Sequence, residues 1–282
     1  MKPATALVSL LAAVAPLASA CVEAAPPVDL PAETILLGGH AAPLGAEATP
    51  PAALANQKPP SNAQIFPRQA QPFGKSYEAW AGDWWQWALA IPKDENPMLG
   101  GPCDVDQSGN VFFLAGTTGG ADVRSCTIKP GKAIFFPIMN LTMLSCPEVT
   151  NESYTCDMTL SEDFLHETAA WYMEDSEKTL TLEIDGVPVG DLDEYRAHTG
   201  TFLDTSPADP DDRVFPSCTG PIGENACGVA EGSSRMAVGD GHWVMLRPLP
   251  VGEHQIRFTA SVVYSFGYTF SLDVTYDIVV AP

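Results

Sequence analysis

Positive charge is scarce in this chain. Across 282 residues there are only 14 Lys and Arg against 35 Asp and Glu, a formal net charge of −21. Such a surface repels phosphate backbones, which excludes nucleic acid as a partner. It also disfavours binding to anionic membranes by charge alone. Long apolar runs are missing too. No stretch reaches the about 18–20 residues that a membrane-spanning helix needs. Charged residues are only 17% and apolar ones 45%, so the chain has material for a core and is not disordered throughout.

The familiar catalytic signatures are also lacking. No G-x-S-x-G elbow and no glycine-rich phosphate loop opening a helix occur. His166-Glu167-Thr168-Ala169-Ala170 starts like a zinc-protease helix, but Ala170 stands where the second histidine ligand belongs. The reading for His166 is therefore a surface histidine. The five histidines, at 40, 166, 198, 242 and 254, are scattered. His242 and His254 flank two strands and are the two expected to approach one another, as a chance adjacency.

What is present begins with a leader. MKPATALVSLLAAVAPLASAC has one basic residue, a short apolar run and small residues before Cys21, as a secretory signal does. Two readings follow. Cleavage after Ala20 leaves Cys21 as a plain N-terminus, or Leu17-Ala18-Ser19-Ala20-Cys21 is a bacterial lipobox and Cys21 carries lipid. The second is favoured, because it leaves six cysteines, an even number suited to an oxidising compartment. It places the protein at the cell envelope, membrane-anchored through lipid. Residues 21–72 are rich in Pro and Ala and read as an extended tether. Residues 73–282 read as one domain.

Loop closure favours near neighbours, so the expected disulfides are Cys103–Cys126, Cys146–Cys156 and Cys218–Cys227. Ser76 precedes a helix near 76–91, and Thr159-Leu160-Ser161-Glu162, with capping-box spacing, opens another near 160–175, whose apolar positions are Phe164, Leu165, Thr168, Trp171 and Tyr172. Strands are read at Val111–Ala115, Ala133–Met139, Thr179–Ile184, His242–Leu246, Gln255–Tyr264 and Tyr268–Val280. Asp185-Gly186 makes a hairpin turn. Together these give a mainly β fold, an antiparallel β-sandwich of immunoglobulin-like or jelly-roll-like kind with one or two packed helices.

The stretch YEAWAGDWWQWALAIP, followed by GNVFFLAGTTGG and PGKAIFFPIMN, resembles a group of secreted bacterial (lipo)proteins. That resemblance implies an exported globular domain with these Trp, Cys and Gly positions, and it implies no activity and no catalytic residue. LRPLPVGEHQIRF is similar to the penultimate hairpin of many immunoglobulin-like exported modules.

Two site expectations follow from the residues. On a helical wheel Tyr77, Trp80, Trp84, Trp87, Ala88 and Ile91 share one stripe, which is core. Trp85 falls to one side near Glu78. It is the Trp expected to offer its ring to a ligand, with Glu78 as a neighbouring acceptor. Asp104, Asp106 and Ser108 match the first half of a calcium loop, with Gly109 at the bend. The bidentate acid that completes such a loop is replaced by Ala115, and a polar turn is the alternative. The resulting function is a ligand-binding module of the envelope, with carbohydrate or another envelope polymer as partner. A structural envelope protein and a carboxylate-dependent hydrolase are the alternatives, and calcium is the one cofactor considered.

Overall fold

The structure, a computed structural model, describes residues 64–145, 149–151, 154–156, 161–209, 212–215 and 236–282. The leader, Cys21 and most of the tether lie outside the described residues. So do Cys146, Cys218 and Cys227. Of Cys156 only the strand is described, which leaves two of the three expected disulfides outside as well.

The domain is mainly β. One sheet contains β1 (Val111–Phe113), β3 (Ala133–Leu144), β10 (Met236–Leu246) and β8 (Arg196–His198) in that order, with β9 (Phe202–Leu203) also paired to β10. The second runs β2 (Gly120–Ile128), β12 (Thr269–Val280), β11 (Gly252–Tyr264), β6 (Ser176–Ile184) and β7 (Val187–Pro188). A small hairpin joins β4 (Val149–Asn151) and β5 (Tyr154–Cys156). Antiparallel pairs dominate, including β11 with β12 as expected. Yet β1 lies parallel to β3 and β2 parallel to β12, so both large sheets are mixed. Within this mainly antiparallel sandwich, crossovers bring one edge strand of each sheet in along the direction of its neighbour.

Two helices, α1 (Tyr77–Ala90) and α2 (Glu162–Glu174), pack on the first sheet. Its central strands β3 and β10 therefore have a helix on one face and the second sheet on the other. Both are buried nearly end to end, β3 mainly through apolar residues and β10 with Asp240 and His242 among them. In contrast, β11 and β12 bury alternate residues, because their outer face meets water. Phe136 of β3 and Phe258 of β11 join the two sheets, with ring centroids 5.2 Å apart. Pro137 lacks an N–H for the ladder. The register of β10 against β3 shifts beside it, between His242 and Trp243.

The end of the segment read as a tether packs on the domain. Ile65 is buried and bridges Leu246, Phe66 N donates to Met245 O, and the Tyr77 hydroxyl donates to Phe66 O. A proline-rich segment can still supply one strand-like edge contact where its non-proline residues face the sheet. In α2 the buried positions are Leu165, Ala169 and Met173, while Phe164 and Trp171 face outward.

Cys103 and Cys126 form a disulfide. It closes a loop 23 residues long in sequence separation, for which chain entropy gives about 3 kcal/mol. At the Asp185-Gly186 turn both residues have positive φ, 52° and 76°. The Asp185 carboxylate accepts from Gln255 N and from His254 Nδ1 at 2.9 Å, and His254 Nε2 donates to Pro250 O at 3.0 Å. A carboxylate and a carbonyl can only accept, so this buried ring carries both protons. The Asp185 hydrogen bond raises the His254 pKa above its ordinary value of 6.5, against the opposing effect of burial. The stability this pair contributes is complete below the unfolded-state value and fades as pH rises through the raised one. Thermal melts of the wild type should therefore fall over that window, and Asp185→Asn should flatten the fall.

Candidate functional site

The first candidate is a groove along α1. Ser76 caps the helix by accepting from Ala79 N, and the buried Asn96 side chain donates to Ala88 O and Ile91 O at its other end. The sequence between the disulfide and β1 folds back beside the helix. Gln107 fixes that loop: its Nε2 donates to Cys103 O and Phe113 O, and its Oε1 accepts from Phe113 N. Lys132 Nζ donates to Gly109 O. Between helix and loop lies an open groove of about 530 Å³. Its aromatic lining is Trp80, Trp87 and Phe113, and its polar lining includes Lys75, Asp83, Gln86, Asp106, Ser108 and Asn110.

The rings in this groove are oriented by the backbone. Trp80 Nε1 donates to Pro72 O at 3.0 Å and Trp87 Nε1 donates to Val105 O at 3.1 Å. Phe113 sits edge-on to Trp80 at 6.3 Å and tilted against Trp87 at 5.5 Å. The Lys75 ammonium lies 5.1 Å from the Trp80 ring centre and 2.5 Å from Asp83 Oδ2. Flat apolar faces with hydrogen-bonding groups at their rims are what a sugar ring requires.

Trp85 is not part of it. It is only 2% exposed and lies on β10, where a Cβ on Gly239 would come within 2.5 Å of its Nε1. The expectation that Trp85 presents its ring to a ligand is corrected, and Trp80 and Trp87, both assigned to the core stripe, are the indoles that line the groove. The reason is the width of the buried face. Trp84 packs against Trp85, Trp87 and Trp243 at 5.0, 5.8 and 5.4 Å, so α1 buries both neighbours of its central Trp. Glu78 is bound by Arg68 and does not line the groove. Burial alone would raise its pKa, but the Arg68 hydrogen bond overrides this and lowers it.

Asp104, Asp106 and Ser108 are all exposed, and Asp106 takes a left-handed φ of 49°. Their segment forms the polar turn that Gln107 closes. Among the described residues no three His, Cys, Asp or Glu converge to hold a metal. Asp106 and Ser108 of this turn rim the groove.

The second candidate was not legible in the sequence. His166 of α2 and His198 of β8 meet, with Nδ1 and Nε2 2.5 Å apart. His198 Nδ1 lies 3.1 Å from Asp240 Oδ2, and His166 Nε2 lies 3.0 Å from Thr201 Oγ1. Thr201 also donates to Glu162. Asp240 is fully buried and is gripped by Arg196, with Nη2 to Oδ2 at 2.6 Å and Nε to Oδ1 at 3.1 Å. Burial would raise the Asp240 pKa, but hydrogen bonds from His198 and Arg196 and the Arg196 charge hold it below the usual carboxylate range.

Counting protons defines two states of this relay. Both carboxylates accept only, and Thr201 has one hydrogen to give. If that hydrogen goes to Glu162, the three links made by the rings need three N–H groups, and the pair carries one positive charge. If both rings are neutral, His198 donates to Asp240 and His166 Nδ1 donates to His198. His166 Nε2 is then a lone pair facing the Thr201 hydroxyl.

The histidine pair expected to meet was His242 and His254, but His254 is held by Asp185. His242 is buried beside Lys178 and the relay. Burial and the Lys178 charge push its pKa down to about 4, so it is neutral at pH 7.

No family model and no curated protein matches this chain. Among solved structures it is similar to a cysteine protease inhibitor from Entamoeba histolytica, at 12% identity and a TM-score of 0.19, over 61% of this chain and 96% of that one. A superposition that loose carries no argument about function.

Proposed function

We propose that this protein is an exported, lipid-anchored envelope protein whose domain binds carbohydrate in the groove beside α1. The observation that carries this reading is the set of Trp80, Trp87 and Phe113 lining one polar-rimmed groove, with both indole N–H groups already tied to backbone carbonyls. Indoles anchored in this way lose little freedom on binding. The acidic surface suits a neutral or cationic glycan better than an anionic one. A glycan array probed with residues 64–282 tests it: selective retention of one glycan class supports the reading, and uniform absence of retention removes it.

The anchor rests on the leader and on Cys21. In a bacterial host, Cys21→Ser should block lipid attachment and move the protein from the membrane fraction to the soluble one. Unchanged membrane association of that variant would refute the anchor and leave the groove unaffected.

A further inference from the structure

The relay has the arrangement of a base-activated nucleophile. A hydroxyl lies within hydrogen-bond reach of an imidazole, that imidazole is oriented by a second one, and the second is oriented by a buried carboxylate. The four residues come from four places, α2, β8, the turn after β8, and β10, so only the fold assembles them. Asp240 sits in the most buried position and is fixed by Arg196, while His166, His198 and Thr201 are only partly covered. The order from buried acid to half-exposed hydroxyl is the order needed for a proton to leave the hydroxyl and be stabilised further in.

From this geometry we propose that Thr201 is a nucleophile for acyl transfer, with His166 as its general base and His198 and Asp240 as positioning residues. In the neutral-ring state Thr201 Oγ1 attacks the carbonyl carbon of an ester while its proton passes to His166 Nε2. The C–O bond to the alcohol then breaks, and the leaving oxygen takes that proton. Water adds to the acyl-threonine, giving one proton to His166. The C–Oγ1 bond breaks, Oγ1 regains the proton, and the carboxylic acid departs. In the protonated state the Thr201 hydrogen turns to Glu162, and the hydroxyl is not activated.

The segment holding Thr201 is hydrogen-bonded to Gln86, one of the residues that line the groove. Gln86 Nε2 donates to Leu203 O at 3.3 Å, and the Thr205 hydroxyl donates to Gln86 O at 2.5 Å. The acyl carrier this placement selects is a glycan bearing an O-acyl ester. That choice of carrier rests on the glycan reading above, whereas the nucleophile itself does not.

The test treats the folded protein with a fluorophosphonate probe at about pH 8 and maps the adduct by mass. The adduct should fall on Thr201. Thr201→Val should abolish it, Thr201→Ser should label faster because the oxygen is less hindered, and His166→Gln should slow labelling by at least about 100-fold. Folding of each variant is checked by its melt. No adduct on Thr201 in either the wild type or Thr201→Ser would overturn the nucleophile, as would labelling that His166→Gln leaves unchanged. Acetate release from an O-acetylated oligosaccharide tests the carrier separately. Labelling of Thr201 without acetate release overturns the glycan ester as substrate, and the glycan array decides binding independently.

Discussion

Trp85→Ala should destabilise the domain by about 3–5 kcal/mol, the cost of emptying a large buried aromatic site. Trp85 is covered by the Trp84 ring and by β10 at Gly239, and neither can close over the space it leaves. Urea unfolding of the wild type and the variant measures the loss. Trp84→Ala should fall in the same range, since Trp84 lies beneath the same cluster and donates from Nε1 to Leu114 O. A Trp85→Ala variant within about 1 kcal/mol of wild type would mean that the indole is not packed as described.

A similar loss is expected from Arg196→Met, but for an electrostatic reason. The substitution preserves length and removes the guanidinium that grips Asp240 through three contacts. Asp240 has no exposed surface, so its charge cannot recover solvation. Stranding one member of a buried pair costs about 3–5 kcal/mol. The paired double variant Arg196→Met with Asp240→Asn should recover much of it, because the stranded charge is gone. A loss below about 1 kcal/mol for the single variant would show that the pair behaves as a surface ion pair.

Much of the architecture was readable from residue patterns, and the misses have physical causes. β11 and β12 show because one face of each meets water, which stamps a period of two on the sequence. β10 begins well before the expected His242, since Met236–Gly241 is buried on both faces and shows no alternation. Parallel pairing leaves no mark on the three residues of β1 or the nine of β2. The helix wheel separated inward from outward residues on the assumption of one narrow stripe. α1 instead buries a broader face, with Trp85 packed against Trp84 and β10 at Gly239, while Trp80 lies at the groove. The relay was invisible because His166, His198, Thr201 and Asp240 are far apart in sequence and none belongs to a local motif. The only available signal was Asp240 itself, an acid inside a long strand otherwise made of buried residues.

The most direct test of the central claim is calorimetric titration of the best array glycan into the wild type and into Trp80→Ala. Trp80 lies at the groove and is only partly buried. The account predicts that Trp80→Ala weakens binding at least about tenfold, the size expected for a central aromatic contact, while its melt stays close to that of the wild type. Equal affinity in a folded Trp80→Ala protein would contradict the groove as the glycan site.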